Sequence, residues 1–153
     1  ACAMGRRFGL VTISPAFIPW HEEQVRRHGL EARCAGVAAI TADLPRFMAA
    51  FDDPAARAAL RADILRQMAP LRARGADVLI PAGGLPMLLL ADDAPLDVEG
   101  AALLEGIATV AKAAEMAVAL RRLTGLGVSR GGLYAKASAG AIADFLGETK
   151  AAR

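Results

Sequence analysis

The stretch that decides the fold is Ala76-Asp-Val-Leu-Ile80 running straight into Pro81-Ala-Gly-Gly84. An apolar run bounded by Gly75 on one side and a proline–glycine loop on the other reads as a strand buried on both faces. Such a strand belongs in a parallel sheet covered by helices. Upstream, Pro54 to Arg74 repeats Ala58, Leu60, Ile64, Leu65, Met68 and Leu71 at helical spacing, while Arg57, Arg61, Arg66 and Arg72 can stay in water. Pro54 suits a first turn and Gly75 a stop, whereas Pro70 is expected to kink this helix or end it early. Further out, Arg6 to Ser14 and Ala35 to Thr41 read as strands and Ala16 to His28 as a helix stopped by Gly29. Ala42 to Asp53 reads as a looser segment. Downstream come a short helix at Leu85 to Leu90, a fourth strand at Ala101 to Leu104, a helix from Ile107 to Leu123, and a last helix from Ser138 to Leu146. Strand and helix alternate, which predicts an α/β fold: a parallel sheet of about four strands with helices on both faces.

The chain has 153 residues, one domain's worth, and 55% of them are hydrophobic, enough for a buried core. With 18 Lys and Arg against 16 Asp and Glu, the net charge of +2 gives no reason to expect nucleic acid or an anionic membrane as partner. Val78 to Ala91 is the most apolar stretch. Pro81, Gly83, Gly84 and Pro86 break it, and it falls short of the roughly 20 residues of a spanning helix. No signal peptide opens the sequence, and the two cysteines, Cys2 and Cys34, suit a reducing compartment, so a cytoplasmic location is expected. The first residue is Ala1 rather than Met, so a processed, trimmed or partial chain is expected.

In a parallel sheet, ligands gather beyond the carboxyl ends of the strands. Thr12 and Ser14, the Pro81-to-Gly84 loop and Glu105 all fall at such ends. Free backbone N–H groups at Gly83, Gly84 and Leu85 would suit an anionic oxygen, with Thr12 and Ser14 adding hydroxyls. The same glycines could equally serve only a tight strand-to-helix turn, and Glu105 is favoured as a helix cap over a ligand contact. His21 and His28 share a helix face without any metal-ligand or carboxylate spacing, and are expected at the surface. Cys34, at the start of a strand, is expected as a small apolar filler at the end opposite the site. No Ser-His-Asp order, P-loop or dinucleotide fingerprint is present. No metal site is expected.

Several segments taken in order carry a resemblance. They are Gly5-Arg-Arg-Phe-Gly-Leu-Val-Thr12, Val25-Arg-Arg-His-Gly-Leu-Glu-Ala-Arg-Cys-Ala-Gly-Val37, and Arg74-Gly-Ala-Asp-Val-Leu-Ile80 with its glycine loop. Leu104-Glu-Gly-Ile-Ala-Thr-Val-Ala-Lys-Ala-Ala-Glu-Met116 and Ser129-Arg-Gly-Gly-Leu-Tyr134 complete the set. Together they resemble the aspartate/glutamate racemase superfamily, most closely its hydantoin racemase-like branch. That resemblance implies a two-lobed, cofactor-independent enzyme in which one cysteine from each lobe faces an opposite side of a substrate's α-carbon. One thiolate removes the proton and the other thiol returns it, which inverts the centre. Residues 1–153 would then form a single racemase-like α/β domain matching the second lobe, with 106–153 as C-terminal helices and tail and the first lobe absent.

The resemblance places the family's second cysteine at Ala82, whose methyl group cannot carry a proton. No catalytic residue is therefore named. The expected substrate-binding residues are Thr12, Ser14, Ala82, Gly83, Gly84 and Glu105. The expected ligand is a small carboxylate or a hydantoin-like ring, and the expected assembly is a homodimer or larger homo-oligomer. Two alternatives stay open beside racemisation at an α-carbon: a one-thiol decarboxylase or isomerase of a small carboxylic acid, and a non-catalytic small-carboxylate-binding domain.

Overall fold

The computed structural model describes residues 1–91 and 97–147. They fall into two compact units, Ala1–Lys112 and Ala113–Arg153. In the first, β1 (Phe8–Thr12) leads through a 3-10 turn, Pro15–Phe17, into α1 (Ile18–Arg27). Then come β2 (Cys34–Ala39), α2 (Leu44–Asp52), α3 (Pro54–Ala73), β3 (Val78–Ala82), α4 (Gly84–Leu90), β4 (Asp97–Val98) and β5 (Ala101–Leu103). α5 (Gly106–Thr124) begins in the first unit and ends in the second, which also holds a 3-10 turn at Gly132–Tyr134 and α6 (Ala139–Leu146). No helix among the described residues is long and apolar enough to cross a membrane.

The fold is α/β, built on a five-stranded sheet in the order β2-β1-β3-β5-β4. β1 pairs in parallel with β2 and β3, and β3 with β5; β4 runs antiparallel to β5 at the edge. This β4–β5 hairpin turns at Glu99 and Gly100, both at positive φ, as tight hairpins require. A two-residue strand leaves no alternation to read, so the sequence shows four strands where the sheet has five.

One face of the sheet is covered by α2, α3 and α4. There Val11 and Leu79 meet Phe47, Leu60, Ile64, Met68, Leu71 and Leu89, all fully buried. Gly9 in β1 permits the approach of α3: a Cβ there would lie 2.9 Å from the Leu71 Cβ. On the other face, Phe8 and Val78 pack with Val25 of α1, flanked by Leu10, Leu30, Ile80 and Leu104. Helices therefore lie on both faces, as the alternation predicts.

Three local expectations are corrected. The segment 42–53 contains α2, whose start is capped by Asp43 accepting from the Arg46 backbone N–H at 2.9 Å. Phe47 and Ala50, three apart, are its buried contacts; a nine-residue helix offers little more pattern than that. Pro70 does not end α3, which continues to Ala73. It removes one backbone donor near the helix end, where the chain already tightens, with the Arg74 N–H reaching the carbonyls of Pro70 and Leu71. Burial of Met68 and Leu71 holds the last turn in place.

The third correction moves β3 forward to Val78–Ala82, so that Pro81 sits within it. Leu79 faces β5, accepting from the Leu104 N–H at 2.9 Å. Pro81, two residues on, faces the same way beyond the last residue of β5, so its missing N–H leaves no ladder bond unmade.

The amino ends of the strands are tied by charged groups. Asp77 accepts from the backbone N–H groups of Arg6 and Arg7 at 2.8 and 3.0 Å, which holds its carboxyl below the usual range. Arg7 spans the sheet, donating to the carbonyls of Arg74 (2.6 Å) and Cys34 (3.1 Å). Cys34, half-buried at the first residue of β2, sits at this end, and burial pushes its thiol up. It is far from a reactive thiolate.

Candidate active site

β1 and β3 end together: Thr12 is the register partner of Ala82. The chain leaves β1 for β2 on one side and returns to β3 on the other, so the sheet reverses its winding direction between these two strands. A crevice at that switch point is the usual ligand seat of an open parallel sheet. A cavity of about 360 Å³ opens there, lined by Thr12, Ile13, Phe17, Trp20, His21, Ala82 and Gly83.

Each wall follows from its local sequence. Ser14 and Pro15 start the 3-10 turn and swing the chain off the end of β1, with the Ser14 hydroxyl accepting from the Ala16 N–H at 3.3 Å. The turn delivers Phe17 and then the first turn of α1, with Trp20 and His21, to the strand-end side. Across the cavity, Gly83 adopts φ +127° and ψ 157°, a conformation closed to residues with a Cβ. It turns β3 into the seven-residue α4, whose first-turn N–H groups have no partner within the helix.

Polar chemistry in the cavity centres on one pair. The His21 Nε2 lies 3.1 Å from the Thr12 Oγ1, and Thr12 is only 2% exposed. Trp20 packs edge-on against the imidazole, ring centroids 4.8 Å apart at 74°. Partial burial pushes His21 down from its ordinary value, so the ring is neutral at neutral pH. No lysine or arginine is among the lining residues. Nor do the described residues gather three His, Cys, Asp or Glu side chains able to hold a metal ion.

Of the residues singled out from sequence, Thr12, Ala82 and Gly83 come together on this cavity. Ser14 caps the neighbouring turn, and Gly84 opens α4 outside the lining. Glu105 caps α5, its carboxylate accepting from the Ile107 N–H at 2.9 Å and from that of Ala108. Sequence reasoning missed Ile13, Phe17 and Trp20, and it placed His21 on the surface. The signal for His21 was position: the first turn of a helix that follows a strand lies at that strand's carboxyl edge, where sites form.

The family model for Asp/Glu/Hydantoin racemase matches residues 1–117. The chain belongs to that family. No curated protein matches it significantly. Among solved structures it is similar to the allantoin racemase of Pseudomonas fluorescens, at 25% identity and a TM-score of 0.63, covering 89% of this chain and 53% of that one. It is also similar to the allantoin racemase of Klebsiella pneumoniae, at 21% identity and a TM-score of 0.67, covering 90% of this chain and 52% of that one. This racemase-family chain thus spans about half the length of the allantoin racemases it matches.

Proposed function

We propose that the cavity at the ends of β1 and β3 takes a small, uncharged hydantoin-like ring and serves proton transfer at its α-carbon. The observation that carries this is the composition of the wall: Phe17, Trp20 and Ile13 offer flat and apolar surface, and no cation is there to meet a carboxylate. An amino-acid carboxylate in such a lining would be desolvated without a charged partner, which is costly. A cyclic amide loses far less water, stacks on aromatic side chains, and can exchange hydrogen bonds with the Thr12 hydroxyl and the backbone at Gly83. Allantoin, named for both structural neighbours, is itself a hydantoin, which supports the same class. The methyl group of Ala82 closes the two-thiol route to this chain.

Ligand-observed NMR with L-5-isopropylhydantoin, aspartate and glutamate tests the reading. The hydantoin is expected to bind and the two amino acids are not. Saturable binding of aspartate or glutamate without the hydantoin would reverse the assignment. Ala82→Cys restores a thiol at the strand end, and deuterium uptake at the hydantoin α-carbon is then expected to rise above that of the unmodified chain. The homo-oligomer expected from sequence forms part of the same proposal, supported by the exposed apolar side chains of the second unit; light scattering on the eluting protein decides it.

A further inference from the structure

We propose that His21 is the proton-transfer group of this site, taking and returning the α-proton of the bound ring on one face. The proposal rests on the hydantoin reading above and adds the residue that does the chemistry.

Three observations converge on it. First, His21 is the titratable side chain of the cavity lining. β1 contributes Thr12 and Ile13, the 3-10 turn Phe17, α1 Trp20, and the β3–α4 junction Ala82 and Gly83, none of which ionises. On its own helix, Glu23 is engaged by Arg26 and Arg27. Second, the ring is held in place: its Nε2 is 3.1 Å from the Thr12 Oγ1, at the strand end where Thr12 pairs with Ala82. With the neutral ring's proton on Nε2, the Thr12 hydroxyl accepts from it in both protonation states and leaves Nδ1 as the basic nitrogen. Third, desolvation keeps the imidazole neutral at neutral pH, the form a base requires.

The step balances without a further reactant. The α C–H bond breaks and a new N–H bond forms at the His21 Nδ1, the ring nitrogen Thr12 leaves free, while the Nε2–H goes on donating to the Thr12 Oγ1. The bonding pair moves into the ring carbonyl as an enolate, leaving an imidazolium beside the Thr12 oxygen. Solvent exchanges the imidazolium proton for deuterium in D2O, and its return to the α-carbon regenerates the carbonyl and the neutral imidazole. Ala82 supplies no second proton carrier, so the deuteron returns to the face the proton left. Deuterium therefore enters with retention of configuration, unlike the inversion a two-thiol site performs.

The test uses the full chain with L-5-isopropylhydantoin in D2O, following α-proton loss by NMR and configuration by chiral chromatography. The expected result is exchange above the buffer rate with configuration kept. Exchange should fall about 10²-fold or more in His21→Ala, in line with the usual contribution of a positioned acid–base group. Added imidazole should restore part of that loss, a rescue that a purely structural role for His21 would not show. Exchange by the unmodified chain should rise with pH below neutrality and level off above it, as the imidazole loses its proton. A ring that binds without exchanging, exchange unchanged in His21→Ala, or configuration lost as fast as deuterium enters would each overturn this proposal while leaving the binding reading intact. If the ring does not bind at all, the binding reading fails and this proposal falls with it.

Discussion

The two units use similar side chains to opposite ends. In Ala1–Lys112, Leu60, Ile64, Met68 and Leu71 of α3 are buried to the last atom or nearly so, because a sheet lies beneath their stripe. In Ala113–Arg153, no described residue is buried, and Leu123 and Phe145 stand 83% and 89% exposed. Both regions contain long helical runs rich in alanine and leucine. The difference teaches that an apolar sequence becomes a core only when a second layer covers it; a helix without one gains little beyond its own hydrogen bonds.

Substitutions can break that contrast. Leu60→Ala in the first unit should cost about 2–5 kcal/mol, the usual range for a fully buried leucine, read as a lowered urea midpoint. A cost below 1 kcal/mol would mean the layer over the sheet is not packed as described. Gly83→Ala should cost about 1–3 kcal/mol, since φ +127° is closed to alanine, and should reduce hydantoin binding in the same preparation. Glu105→Ala, which frees the Ile107 and Ala108 N–H groups, should cost roughly 0.5–1 kcal/mol and lower helicity by circular dichroism.

A smaller effect sharpens the picture of the strand ends. The Asp77 carboxyl is held low by the Arg6 and Arg7 N–H groups, so its stabilising contribution is present above its unfolded value and lost as acid titrates it through the folded one. Asp77→Asn should lower Tm most at neutral pH, where the ionised carboxyl contributes, and flatten the acid side of a Tm-against-pH curve as wild type and variant converge; an unchanged acid limb would discard the clamp. His21 works in the opposite range. Its lowered value means the unfolded chain takes up a proton first, so stability falls as pH drops from about 6.5 toward the folded value. The smallest effect expected is Leu123→Ala, within about 0.5 kcal/mol of no change for the isolated chain. If it matched Leu60→Ala, the second unit would be covered in solution, most simply by another copy of the chain.

Much of the sheet was legible in the sequence because its signals are local. The apolar run Val78 to Ile80 between glycines, the 3.6-residue stripe of α3 and the alternation of elements each report burial that the residues themselves dictate. The missed elements were those too short to repeat a pattern, α2 and the β4 edge, and Pro70 misled because its cost falls on a single donor near a helix end. For the site, Thr12, Ala82 and Gly83 could be placed by counting to the strand ends. Phe17, Trp20 and His21 could be brought by the same counting only to the neighbourhood of the strand end, because a helical segment does not announce which side of its first turn faces the neighbouring strand.

By itself the sequence determined the alternation of strands and helices, the glycine turn after β3 and the absence of a thiol at Ala82, for these depend on residue type and spacing alone. Only the tertiary structure decided that β1 and β3 end side by side, that His21 meets Thr12 there, and that aromatic rather than cationic groups wall the cavity. Those are contacts between residues distant in the chain or on one side of a helix, set by how strands pair and helices roll onto them, and no local pattern encodes them.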